Sequence, residues 1–170
     1  QEKGDDDSGF MLYNLAQYIG TKFNQAAAGG GGGEVRVNQK TIGKIFVLQE
    51  RANDGVTCTS TQGYTTMAEN VKQLVRYLNT VYVQMLLFRT MSFQPNVDTD
   101  FVELYALALM PQIASACDQD LFSTILTLTV QENVNADSVN DAMDAIQAAY
   151  SCLGITCDDV GALETNLVPV

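Results

Sequence analysis

The chain has 170 residues, 46% of them hydrophobic, which suffices for one core and is too short for two ordinary domains. Its formal net charge of −11, from 9 Lys and Arg against 20 Asp and Glu, makes most of its surface repel nucleic acid and anionic membranes. Histidine is absent, which removes the commonest general base, the commonest metal ligand and the usual partner of a Ser or Cys nucleophile, so neither catalysis nor a cofactor is expected.

A mainly α fold is expected, one domain over residues 1–170 built as a helical bundle of about four to five helices with a small β-hairpin segment. Residues 1–9 (QEKGDDDSG) read as a polar N-terminal arm. The first residue, Gln1, suits a mature product whose signal peptide has been removed, so export is expected. From Phe10 to Phe23, apolar residues at Ala16, Ile19 and Phe23 keep helical spacing despite Gly20. The tract 26–33 (AAAGGGGG) is an Ala/Gly connector, because five consecutive glycines lose too much backbone entropy in a helix. Over 34–50, Val35 and Val37 flank Arg36, and a second apolar run with Lys40 and Lys44 follows. This predicts a β-hairpin turning near Asn38, with Gly43 as a bulge. Residues 51–66 are turn-rich and read as a loop bearing Cys58.

The helical core is expected over 64–154. Met67, Val71, Leu74, Leu78, Val81, Tyr82 and Met85 recur at three- and four-residue steps, and Val81 to Phe88 is apolar on nearly every face, so this helix should form the centre of the bundle until Pro95 stops it. The apolar run is broken by Gln84 and falls short of the roughly 18 to 20 residues of a bilayer span. Asp100 and Glu103 make a capping-box-like pair ahead of a helix that Pro111 should kink or end. Residues 118–130 satisfy a helix over Leu121, Phe122 and Ile125, yet Thr124, Thr127, Thr129 and Val130 also tolerate a strand. Val139, Ala142, Met143, Ile146, Ala149 and Leu153 form an amphipathic stripe ended by Gly154. The tail 155–170 has no period and reads as an extended arm.

Cys58, Cys117, Cys152 and Cys157 form an even set without CxxC spacing, which predicts two disulfides in an oxidising compartment; Cys152–Cys157 is the most local pairing and Cys117–Cys152 would tie two helix ends together. The glycine tract lacks the Lys-Ser/Thr of a phosphate loop, and neither Asp98, Asp100 and Glu103 nor Asp158, Asp159 and Glu164 has the spacing of a calcium loop.

Charge is unevenly laid out. No Lys or Arg follows Arg89, whereas residues from 98 onward carry twelve acids, leaving the first 97 residues at plus 1. A basic stripe of Arg36, Lys40 and Lys44 therefore faces an acidic half that includes Asp137, Asp141 and Asp144. With a hairpin short of sheet partners and a glycine tract suited to close packing, these features point to a secreted structural or scaffolding subunit whose partners are its own copies or related chains. The alternative is an extracellular carrier of a small hydrophobic ligand such as a lipid, pigment or odorant, with Met67, Tyr82, Met85, Met110 and Met143 lining a cavity in the bundle.

Overall fold

The computed structural model describes residues 12–26, 33–55, 60–91, 99–129 and 136–163. Seven helices and no strand occur among them: α1 (Leu12–Lys22), α2 (Arg36–Asn53), α3 (Thr61–Met91), α4 (Thr99–Ala116), α5 (Gln119–Thr129), α6 (Ala136–Ala148) and α7 (Cys157–Val160). The N-terminal arm, most of the Ala/Gly connector, Cys58, Pro95, Asp98 and the last residues of the tail lie outside the described residues.

The long helix α3 is the axis, with α1, α2, α4, α6 and α7 all packed on it. Its second half is submerged on nearly every face: Val81 and the unbroken run Val83, Gln84, Met85, Leu86 and Leu87 are buried. The rest of the core comes from Ile19 and Phe23 of α1, Leu109 and Ile113 of α4, Phe122 and Ile125 of α5, and Ile146 of α6. Burying such side chains supplies about 1.5–3 kcal/mol each, the term that holds a bundle of this size together.

The hairpin expected over 34–50 does not form; all but its first two residues lie in α2. β pairing among the described residues is a single antiparallel bridge between Ala26 and Val35, which pins the two ends of the Ala/Gly connector, with Arg36 N donating to Gln25 O at 3.0 Å. The apolar residues that suggested two strands serve a helix instead, since Val37, Ile45 and Leu48 follow one another by eight and three residues, steps that keep to one helix face. Val35 still terminates in extended backbone, at φ −67° and ψ 149°, as the residue before α2.

Helix α3 also begins six residues before the expected Met67. Ser60 supplies the cap, its Oγ accepting from Gly63 N at 3.0 Å. Thr65 and Thr66, which read as loop residues, donate their hydroxyls to Thr61 O and Gln62 O at 3.0 and 2.9 Å, so the helix itself absorbs them. Pro111 neither ends nor interrupts α4, which continues to Ala116. The strand-tolerant run after Asp118 is helical, started by Asp118 Oδ1 accepting from Asp120 N at 3.0 Å.

Cys117 and Cys152 are joined by a disulfide, which ties the end of α4 to the turn after α6. Their 35-residue separation corresponds to about 4 kcal/mol in the chain-entropy account of cross-linking. Cys157 is an exposed thiol, so the local Cys152–Cys157 pairing is not the one formed. No helix among the described residues is long and apolar enough to cross a membrane.

Candidate functional site

Two features stand out where α1, α2 and α3 meet. The first is a clasp around Asp159. Thr156 caps the short α7 with a reciprocal box: Asp159 N donates to Thr156 Oγ1 at 3.3 Å, while Thr156 N donates to Asp159 Oδ2 at 3.0 Å. The same carboxylate, with its side chain only 9% exposed, accepts from Lys40 of α2 at 3.3 Å and from the Arg76 guanidinium of α3. Burial disfavours the charged carboxylate, but the hydrogen bonds from Arg76, Thr156 and Lys40 outweigh it and hold the group down to a pKa of about 2. Around the clasp, Gln84 Nε2 donates to Val160 O at 2.7 Å, Asn79 Nδ2 to Leu153 O at 3.4 Å and Gln25 Nε2 to Asp158 O at 3.1 Å. The described part of the segment read as an extended arm, 155–163, is therefore a strap across α3. Gly161, at φ 82°, lies so close to Gln25 and the Phe23 carbonyl that no side chain would fit there.

The second feature is a cavity of about 220 Å³ between α1, α2 and α3. Its position follows from how α1 and α2 are joined. Gln17 of α1 donates to Gly33 O and accepts from Val35 N, both at 3.0 Å. Asn38 of α2, 4% exposed, donates to Tyr13 O at 3.0 Å. Gly20 makes room for Val35. This seam fixes the two helices at one edge, and the cavity adjoins it, with Asn38 belonging to both. Ala16, Val37 and Val81 form its buried wall, continued by Ile42 and Leu78. Leu12, Tyr13 and Ile45, exposed at 37%, 45% and 50%, stand at its rim. Asn38, Thr41 and Tyr77 contribute the remaining polarity, and no Asp, Glu, Lys or Arg among the described residues lines it.

The residues singled out from the sequence are distributed differently. Met85 is buried in the core, Met143 packs against it, and Met67 and Tyr82 are half-buried; the cavity between α1, α2 and α3 is bounded by none of them. The side chain of Met110 lies outside the described residues. Of the basic stripe, Lys40 is spent on Asp159, Lys44 donates to Asn70 Oδ1 at 3.0 Å, and Arg36 is exposed. Asp137, Asp141 and Asp144 lie exposed on one face of α6, and no ion pair joins them to the stripe among the described residues. No group of three or more Cys, Asp or Glu side chains able to hold a metal ion occurs among the described residues.

The chain matches no protein-family model, no curated protein and no solved structure.

Proposed function

We propose that the chain is a non-catalytic carrier of a small apolar molecule, held between α1, α2 and α3, and that it works outside the cell. The observation that carries this reading is the cavity of about 220 Å³ whose lining is mostly apolar and, among the described residues, free of charged side chains. Apolar cavities accept apolar guests; an enclosed one of about 150 Å³ takes benzene. The Cys117–Cys152 disulfide supports the extracellular setting.

Saturable binding of naphthalene, followed by its fluorescence, tests this reading. One site per chain is expected, with a thermal midpoint that rises with ligand concentration. Ile42→Trp, which fills the cavity from α2, should abolish binding while leaving the helical circular dichroism in place. Equal binding by parent and variant would move the guest elsewhere, and no binding by either would end the carrier reading.

A second reading, the secreted self-assembling subunit, keeps one favourable observation. On α2, three consecutive apolar residues are exposed, Ile45, Phe46 and Val47, with Phe46 64% accessible. It loses the unpaired hairpin that motivated it, and two of its three basic anchors are occupied within the chain.

A further inference from the structure

We infer that the guest of the cavity between α1, α2 and α3 is a neutral molecule bearing one hydrogen-bonding oxygen, an alcohol, phenol or ketone of about nine to twelve non-hydrogen atoms, and that Thr41 and Tyr77 hold the oxygen. This rests on the carrier reading and narrows it from apolar guests in general to one chemical class.

Size comes first. If about 150 Å³ accommodates the six carbons of benzene, then the 220 Å³ here accommodates roughly half as many atoms again in a rigid guest, and somewhat more in one that reaches the open rim.

Charge comes second. A carboxylate guest needs a cation, and no Lys or Arg among the described residues lines the cavity; Lys40, whose Nζ lies 5.7 Å from the Tyr77 ring centroid, is paired with Asp159 at 3.3 Å. An ammonium guest needs a carboxylate, and no Asp or Glu among the described residues lines the cavity; Glu34 accepts from the rim residue Tyr13 at 2.9 Å without lining it. An unpaired charge taken from water into such a cavity is strongly disfavoured, whichever its sign.

Polarity comes third. Among the polar side chains of the lining, Asn38 spends its amide on Tyr13 O and Gln17, and Tyr13 spends its hydroxyl on Glu34. The hydroxyls of Thr41 and Tyr77 make no hydrogen bond among the described residues. A hydroxyl both donates and accepts, so this pair suits an alcohol, which can do either, and a ketone, which only accepts. A hydrocarbon guest would use neither hydroxyl.

Calorimetric titration of the intact chain at neutral pH with 1-octanol, 2-octanone, octane, octanoate and octylammonium decides the matter, because the five share a chain and differ at the head. Octanol and octanone should bind at least about tenfold more tightly than either ion, given the cost of burying an unpaired charge. Thr41→Val and Tyr77→Phe, each nearly the same shape as the parent, should each weaken octanol by about three- to tenfold, the range of one hydrogen bond, and leave octane unchanged within about twofold. Circular dichroism of both variants separates a lost contact from a lost fold, and either variant alone is sufficient. Octanoate or octylammonium binding as well as octanol overturns the inference, as does octanol affinity unchanged in both variants. In those cases saturable binding of naphthalene would leave the carrier reading standing; no binding of naphthalene or of any of the five overturns both.

Discussion

Asp159 ties three helices together, since one carboxylate joins α7 to α2 through Lys40 and to α3 through Arg76. Because its pKa in the folded chain, about 2, lies below the ordinary 3.8, its charge stabilises the fold above about pH 4 and the contribution is lost as pH falls from there towards 2. The shift corresponds to about 2 kcal/mol. Asp159→Asn should therefore lower unfolding free energy at pH 7 by at least that amount, with parent and variant converging near pH 2, as urea titrations at a series of pH values would show. A constant difference from pH 7 to pH 2 would mean that the charge is not what matters. Part of this was legible: Thr156 followed three residues later by Asp159 is a capping-box spacing, and it marks a helix start inside a tail that lacks periodicity. The partners were not legible, because Arg76 and Lys40 lie 83 and 119 residues away and no local rule reaches so far.

At the scale of elements, the helical periodicity of α3 and α6 could be read directly because each has a continuous apolar stripe facing the bundle, whereas α2 was read as a hairpin because it has so little buried surface. Only Val37 and Asn38 of α2 are buried, and its exposed Ile45, Phe46 and Val47 imitate a strand. That misreading also hid the cavity, whose outer wall is the inner face of α2 and whose opposite wall is α1; of the run Val81 to Phe88 only Val81 reaches it. Two glycines distinguish the elements experimentally. Gly43 lies mid-helix in α2 with no atom within 4 Å of where a Cβ would project, so Gly43→Ala should stabilise the chain by about 0.5–1 kcal/mol through helix propensity alone. Gly20, in the last turn of α1, would place a Cβ 2.9 Å from Val35 Cγ1, and a β-branched side chain cannot swing away cheaply. Gly20→Ala should cost about 1–3 kcal/mol of packing, exceeding the propensity gain, so the two substitutions should move the thermal midpoint in opposite directions. A hairpin over 34–50 would predict a loss at Gly43 instead.

For the whole molecule, the sign of the salt response separates the two ways in which copies could meet. A contact between the α6 acids and a neighbour's basic stripe joins opposite charges, so added salt, with a Debye length of about 8 Å at physiological strength, should dissociate it. An apolar contact through Ile45, Phe46 and Val47 must bring together two bodies that each carry −11, so the same salt should promote it by screening their repulsion. Where copies do meet, the second sign is the expected one, because Lys40 and Lys44 are engaged within the chain and Arg36 is left as the exposed member of the stripe. Reversing all three cations to Glu would be a poor test, since Lys40→Glu also breaks the Asp159 clasp. Phe46 is the better position: it is exposed and lies outside both the clasp and the cavity lining, so Phe46→Lys should leave folding and ligand binding intact. Sedimentation at neutral pH is expected to find monomers at low salt and association as salt rises towards physiological strength, with Phe46→Lys monomeric throughout. A mass that instead falls as salt rises, and is unchanged by Phe46→Lys, would assign the contact to charge and return the α6 acids Asp137, Asp141 and Asp144 to the interface.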